Sequence, residues 1–365
     1  MMIAEGLPLD QIIQGDCAQV MDGLPPDSID LIFADPPYNL QLSQELWRPN
    51  MTRVDAVLDE WDQFEDFKAY DAFTLQWLTA ARRVLKATGT IWVIGTYHNI
   101  FRIGSILQDL GYWVLNDVVW VKTNPMPNFR GVRFTNAHET LIWATKSEGA
   151  RYTFNYHAMK RLNQGKQMRS DWLLPICGGK ERLRINGEKV HSTQKPEALL
   201  YRILLAASEP GDVVLDPFFG TGTTGAVAKR LHRRWIGIEL DTQYAQVAAQ
   251  RIEATRAGNF DAAAFDVRDR RRHAKRVPFS RLLEAGYLHP GQRLAFQGRT
   301  DCSATIKPDG QLVCGDLKGS IHQVAKHMTG GRPCNGWDHW FYQAVDGDWH
   351  AIDRLRVAYR QECLE

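Results

Sequence analysis

The sequence predicts an α/β fold, a parallel sheet covered by helices, followed by a small C-terminal α+β domain. Three observations predict it. Strand-length hydrophobic runs alternate with amphipathic helical stretches over residues 1–121 and again over 197–256. Between them, residues 122–195 are rich in Asn, Pro, Gly, Lys and Arg with interleaved aromatics, and read as long loops inserted over a scaffold. After 256 the periodicity fades, so 257–275 reads as a basic linker and 276–365 as the second domain.

Taken in order, "QIIQGDC" and "IDLIFAD" read as strands. Residues 64–86 read as a helix, with Phe67, Tyr70, Thr74, Trp77, Leu78, Ala81 and Leu85 at helical spacing and Gly89 marking its end. "TIWVIG" is a strand, 98–110 a helix, and "YWVLNDVVWVK" and "ETLIWATK" two further strands. Then come a helix at 197–208, the strand "DVVLDPF", a helix at 222–232, the strand "WIGIEL" and a helix at 241–256. In the second domain "RLAFQG" and "SATIKPDGQLV" read as strands, the latter turning at Pro-Asp-Gly; "NGWDHWF" suits either the handling of a DNA strand or a small hydrophobic core, and Trp337 and Trp340 read more readily as core.

Composition narrows the class. No apolar run approaches the roughly 20 residues of a membrane span, and "MMIAEGLPLDQ" lacks the pattern of a secretory signal. Six scattered cysteines without a Cys-x-x-Cys pair suggest reduced cytosolic thiols, and no metal site is expected even where His322 and His327 lie near Cys302 and Cys314. The net charge of +2 is uneven: residues 1–121 carry 7 basic and 17 acidic side chains, whereas 122–202 carry 15 and 6. A basic middle on an acidic body suggests a polyanion partner.

Two stretches suggest chemistry. In "IDLIFADPPYNLQ" a buried strand runs into Asp35, Pro36, Pro37 and Tyr38. The prolines fix the backbone, which holds a carboxylate and a ring rigidly at a strand end; a Pro-rich turn with a packed Tyr is the competing reading. In "DVVLDPFFGTGTTGAVAKRLHRRWIGIELD" a strand enters Phe218, Gly220, Thr221, Gly222 and Thr223, and a helix follows at once. Glycines there let backbone approach a ligand, and Glu239, at the end of the next strand, stands where an acid binds a ribose diol. The stretch lacks the Gly-Lys-Ser/Thr of a triphosphate loop. Asp16, beside Cys17, ends another strand and suits an adenine amino group or an ordinary turn.

"ADPPYN", "DPFFGTGTT" and "HSTQKPEALLYRI" together resemble the amino-group DNA methyltransferases, in the motif order of their β group. "NPMPNFRGVRFTNAHETLIWATKS", "MRSDW" and "PCNGWDHW" extend the resemblance, across essentially the whole chain, to the cell-cycle-regulated adenine-N6 methyltransferases of alphaproteobacteria. Ser192 departs from the Pro of many relatives. The resemblance implies a Rossmann-like methyltransferase sheet and S-adenosylmethionine as cofactor, held by Asp16, Cys17, Lys195, Phe218, Gly220, Thr221, Gly222, Thr223 and Glu239. Lys195 has a competing reading as a surface or DNA-facing lysine. The resemblance also implies duplex DNA as substrate, the target GANTC, a homodimer, no partner nuclease, and a cytoplasmic, nucleoid-associated bacterial enzyme acting in the cell cycle.

The chemistry expected is direct methyl transfer to adenine N6. Asp35 and the Pro36 carbonyl accept the amine hydrogens, and Tyr38 stacks on a base flipped out of the duplex. Arg130, Arg133, Lys160, Arg161, Lys166 and Arg169 are candidates for phosphate or base contacts. Trp47 and Trp61 flank a polar loop, 48–60, and read more readily as core. N4-cytosine methylation is the alternative within the class; an RNA or protein methyltransferase and a silent DNA-binding module are further alternatives. A nicotinamide dehydrogenase leaves Asp-Pro-Pro-Tyr without a role.

Overall fold

The computed structural model describes residues 6–40, 62–128, 131–185, 187–191, 193–261, 267, 276–332, 334–344 and 347–363. Trp47, Trp61, Arg130 and Ser192 lie outside these residues. The chain divides into two compact units, Met1–Asp269 and Arg270–Glu365.

The first unit is built on eight strands: β1 (Gln11–Gln14), β2 (Ile29–Ala34), β3 (Leu85–Gly95), β4 (Trp113–Lys122), β5 (His138–Thr145), β6 (Asp171–Leu174), β9 (Val213–Asp216) and β10 (Arg234–Glu239). A small hairpin, β7 (Arg184–Ile185) and β8 (Glu188–Lys189), stands apart from that sheet. The sheet order is β1-β10-β9-β2-β3-β5-β4-β6. Strands β2 and β9, about 180 residues apart in sequence, lie side by side in parallel, Leu31 against Val214 and Ile32 against Leu215.

The helices are α1 (Cys17–Gly23), α2 (Phe67–Val84), α3 (Ile100–Asp109), α4 (Tyr156–Leu162), α5 (Glu197–Ala207), α6 (Thr223–Arg230) and α7 (Thr242–Ala254). They cover both faces of the sheet, and β2 feeds both cores: Leu31 and Phe33 join one cluster, Ile32 and Ala34 the other. Helix α2 starts where Asp66 accepts the Ala69 N–H at 2.7 Å, and it buries Tyr70, Trp77 and Leu78. Phe67 departs from the expected face: it is exposed, with the Arg102 guanidinium over its ring at 4.7 Å.

Three expectations need correction. The sheet is mixed, because β5 runs antiparallel to both β3 and β4. Among the described residues no crossover helix separates β4 from β5, and the chain returns in the opposite direction. Helix α2 ends at Val84 and β3 begins at once, with Gly89 inside it. A Cβ on Gly89 would lie 2.9 Å from the Ile29 carbonyl, so this glycine serves close strand approach rather than a helix stop. The stretch "HAMKRLNQGKQMRSDW" is not all loop: α4 buries Ala158 and Met159, and β6 pairs with β4 through Trp172 and Leu174.

The second unit holds a six-stranded antiparallel sheet, β14-β13-β12-β11-β15-β16, of β11 (Arg293–Phe296), β12 (Arg299–Ile306), β13 (Leu312–Cys314), β14 (Leu317–Gly319), β15 (Trp340–Gln343) and β16 (Trp349–Ala351). Helices α8 (Phe279–Glu284), α9 (Ile321–Met328), α10 (Gly336–His339) and α11 (Asp353–Cys363) complete it. Trp337 and Trp340 are core residues, and Trp340 Nε1 donates to the Ile321 carbonyl at 2.9 Å.

Candidate active site

The parallel strands β1, β10, β9 and β2 point their carboxyl ends to one edge, which carries Asp16, Glu239, Asp216 and Asp35. A cavity of about 810 Å³ opens there. It is lined by Asp35, Pro36, Pro37 and Tyr38, and by Asp16, Cys17, Lys195, Phe218, Gly220, Thr221, Thr223 and Glu239. Among the expected catalytic and cofactor residues only Gly222 is absent from its lining.

The loop after β2 is shaped by its neighbours. Asn39 takes a left-handed φ of 52°. The Asp62 carboxylate, 2 % exposed, accepts the backbone N–H groups of Tyr38 (2.5 Å), Asn39 (2.8 Å) and Leu40 (3.1 Å). The Pro37 carbonyl accepts from the Tyr70 hydroxyl at 2.9 Å and from Asn99 Nδ2 at 3.4 Å. These contacts hold Asp35 and the Pro36 carbonyl in place without using either.

Asp35 belongs to a buried charge cluster. Lys195 Nζ donates to its Oδ2 at 2.6 Å and lies 5.2 Å from the centre of the Tyr38 ring. The Tyr38 hydroxyl bridges Asp35 Oδ1 (2.9 Å) and Glu139 Oε2 (3.1 Å). Glu139 Oε1 pairs with Lys122 Nζ at 2.8 Å. Burial pushes the Asp35 carboxyl up, against the pull of Lys195. Burial favours loss of the Lys195 proton, but Asp35 and Glu139 outweigh it and hold the ammonium above its usual range. Lys195 is therefore neither a surface lysine nor only a cofactor neighbour: it is paired with the proposed acceptor.

Sequence reasoning missed Glu139. Because β5 is reversed, its first residues lie at the edge where the parallel strands end, and Glu139 sits opposite Trp120 near the end of β4. The only signal was an acid at the start of a strand otherwise destined for the core.

The second loop begins at Asp216, which accepts from Phe218 N–H (3.0 Å) and Thr224 Oγ1 (2.5 Å); burial pushes its carboxyl up to about 7. Gly220, at φ 52°, faces the cavity beside His191, whose pKa burial lowers to about 4. Gly222, at φ 74°, has another role. A Cβ there would lie 2.8 Å from the Ala248 Cβ, so it lets α6 pack on α7 rather than admitting a ligand. Glu239 accepts the N–H groups of Gly220 (2.6 Å) and Asp241 (2.8 Å), which fixes its carboxylate at the rim. Asp16 caps α1, accepting from Gln19 N–H at 3.0 Å. Burial pushes the Cys17 thiol up to about 12, so it is no nucleophile.

The basic candidates are not gathered in the cavity. Arg133 is exposed and donates to the Tyr97 hydroxyl just beyond β3, on the sheet edge that carries Asp35. Lys160 and Arg161 lie in the last turn of α4, Lys166 is exposed, and Arg169 pairs with Asp171 at 2.8 Å.

A rigid Asp-Pro-Pro-Tyr loop and a glycine loop on adjacent strands, facing one cavity, define the class, and comparison with known proteins agrees. Residues 29–250 match the DNA methylase family, and the chain belongs to it. Residues 261–365 match the family described as Restriction Enzyme Adenine Methylase Associated. In particular, the chain is 46% identical over 355 residues to the Type II methyltransferase M.HinfI of Haemophilus influenzae, covering 97% of this chain and 98% of that one. It is 41% identical over 249 residues to the Type II methyltransferase M2.DpnII of Streptococcus pneumoniae, covering 68% of this chain and 91% of that one. The fold is shared with the cytosine-N4-specific PvuII DNA methyltransferase (TM-score 0.51, 22% identity, 70% of this chain and 90% of that one). It is also shared with a putative DNA modification methylase of Thermus thermophilus (TM-score 0.50, 24% identity, 68% of this chain and 96% of that one).

Proposed function

We propose that this DNA methyltransferase transfers a methyl group from S-adenosylmethionine to adenine N6 in duplex DNA. The observation that carries the reading is the shared cavity: Asp35 and Pro36 line the same space as Gly220 and Glu239. The residues present fit the cofactor. The cavity volume suits a nucleoside-sized ligand, the anchored Glu239 carboxylate suits a ribose diol, and Phe218 supplies an apolar wall. When bound, S-adenosylmethionine supplies an electrophilic methyl group.

The chain's own residues do the rest. The adenine amine is a poor nucleophile because its lone pair is delocalised into the ring. Asp35 and the Pro36 carbonyl accept its two hydrogens, localise the lone pair and stabilise the charge that develops on nitrogen. Transfer then depends on alignment in the shared space. A flipped base reaches this cavity, with the Tyr38 ring as its stacking surface. Arg133 on the catalytic edge is the first candidate for DNA contact, followed by Arg130, Lys160, Arg161, Lys166 and Arg169. The target GANTC, the homodimer, a role without a partner nuclease and a part in the cell cycle belong to the same proposal and rest on the sequence resemblance.

The test is methyl transfer from labelled S-adenosylmethionine to unmethylated DNA, with mass spectrometry of the nucleosides. N6-methyladenine is expected, and Asp35→Asn should abolish it while cofactor binding persists. N4-methylcytosine would overturn the choice of base, and near-normal turnover by Asp35→Asn would overturn the role of Asp35.

A further inference from the structure

The charge cluster poses a problem for the proposed reaction. Asp35 must accept a substrate N–H, yet Lys195 already donates to its Oδ2 at 2.6 Å and Tyr38 to its Oδ1 at 2.9 Å. An ammonium held on one carboxylate weakens that carboxylate as an acceptor, and a buried ammonium that loses its partner is costly. Glu139 lies where both difficulties can be relieved. Its Oε2 is 4.0 Å from Lys195 Nζ and 3.1 Å from the Tyr38 hydroxyl, while Lys122 fixes its Oε1 at 2.8 Å. The side chain is 10 % exposed, and two different strands, β4 and β5, supply the pair.

We propose that Glu139 is a positioning residue for methyl transfer: it anchors the Tyr38 hydroxyl and gives the Lys195 ammonium a second carboxylate, so that Asp35 can turn its lone pairs to the substrate amine. Lys195 has only to lean from one carboxylate toward the other, and no charge enters or leaves the cavity wall. Lys122 keeps Glu139 ionised and still, as one positive neighbour on each side of the carboxylate does: burial pushes Glu139 up, but Lys195 and Lys122 together hold it below the usual range.

The inference rests on the assignment of Asp35 as the amine's acceptor, and the test separates the two. The charged and titratable groups around Asp35 are Lys195 before α5, Tyr38 on its own loop, Glu139 on β5 backed by Lys122 on β4, and Asp216 on β9. Glu139 raises the Asp35 carboxyl by charge repulsion. Glu139→Gln removes that repulsion and leaves Lys195 wholly on Asp35. The expected result is a kcat lower by about 10- to 100-fold, KM values for DNA and cofactor within about twofold, and an acid limb of the kcat–pH profile moved to lower pH. Glu139→Asp, which keeps the charge, should restore most of the rate. Because removing one partner of a buried pair can unfold a protein, Lys122→Met/Glu139→Gln, which deletes one cation and one anion together, is measured beside it and should shift the limb the same way. Wild-type kcat in Glu139→Gln, an acid limb that does not move, or a loss that Glu139→Asp does not restore would overturn the proposal. Turnover that persists in Asp35→Asn would instead remove the reading on which it rests.

Discussion

Asp62 offers a sharp test of how the loop after β2 is held. Asp62→Asn exchanges one carboxylate oxygen for an amide nitrogen in a side chain that is 2 % exposed. In the native protein Oδ1 accepts from Tyr38 and Asn39, and Oδ2 from Leu40. An amide retains one oxygen for the first two donors but points N–H at the third. Hydrogen bonds to a charged group contribute about 1.5–3 kcal/mol against about 0.5–1.5 for neutral ones, and an orphaned buried donor costs about 1–3. With some relaxation of the loop, the loss comes to about 2–4 kcal/mol. In a unit of this size each kcal/mol moves Tm by roughly 2–4 °C, so a fall of roughly 5–15 °C is expected in a thermal melt. The loop also carries Asp35 and Pro36, and a displacement of about 1 Å costs on the order of 100-fold in rate. Methylation kinetics well below both melting temperatures should therefore show kcat reduced by at least roughly 10-fold. A Tm within about 2 °C of wild type (about 1 kcal/mol), or an unchanged kcat, would refute the reasoning and show that the loop is held without the Asp62 carboxylate.

Three further outcomes follow from the geometry. Gly222→Ala places a methyl group 2.8 Å from Ala248 at a φ of 74°; a loss of about 2–5 kcal/mol in chemical denaturation is expected from overpacking and left-handed strain, and a neutral substitution would show that α6 and α7 yield easily. Asp216, at about 7, holds a proton in the native state between about pH 4 and 7 that the unfolded chain has lost. The native state then binds more protons, so its contribution to stability falls as pH rises through that window; Asp216→Asn should flatten the Tm–pH curve there, and a curve of unchanged slope would argue against a protonated Asp216. Tyr38→Phe is expected to slow turnover as well as Tyr38→Ala, although less, because the hydroxyl bridges Asp35 and Glu139. Full activity of the Phe variant would reduce the role of Tyr38 to that of its ring.

What the sequence made legible is what local backbone chemistry dictates. Two prolines after a hydrophobic strand announce a fixed turn, and the glycines before Thr223 announce a strand-to-helix loop. Both sit where those signals put them. What was not legible depends on partners distant in the chain. Asp62 looks like one more acid in a polar stretch, and only the fold brings it to three N–H groups of residues 38–40. Glu139 reaches the site because β5 is reversed, which no periodicity reveals, and Lys195 becomes a buried partner of Asp35 only across 160 residues. Gly222 was legible as a required glycine but not as a helix-packing one, since its neighbour Ala248 lies a helix away.

Strand β9 is a wedge: it separates β2 from β10 and pairs with both. Synthesis therefore makes β2 long before its central neighbour exists. A nascent chain that has cleared the ribosome only through α5 has Asp35 and its proline loop, but β2 has an open edge and no facing cofactor wall. Pairings of this sequence separation form late and slowly. The growing chain therefore has no complete cavity until β9 and β10 have been inserted, because Asp216 and Glu239 at their ends form part of its lining.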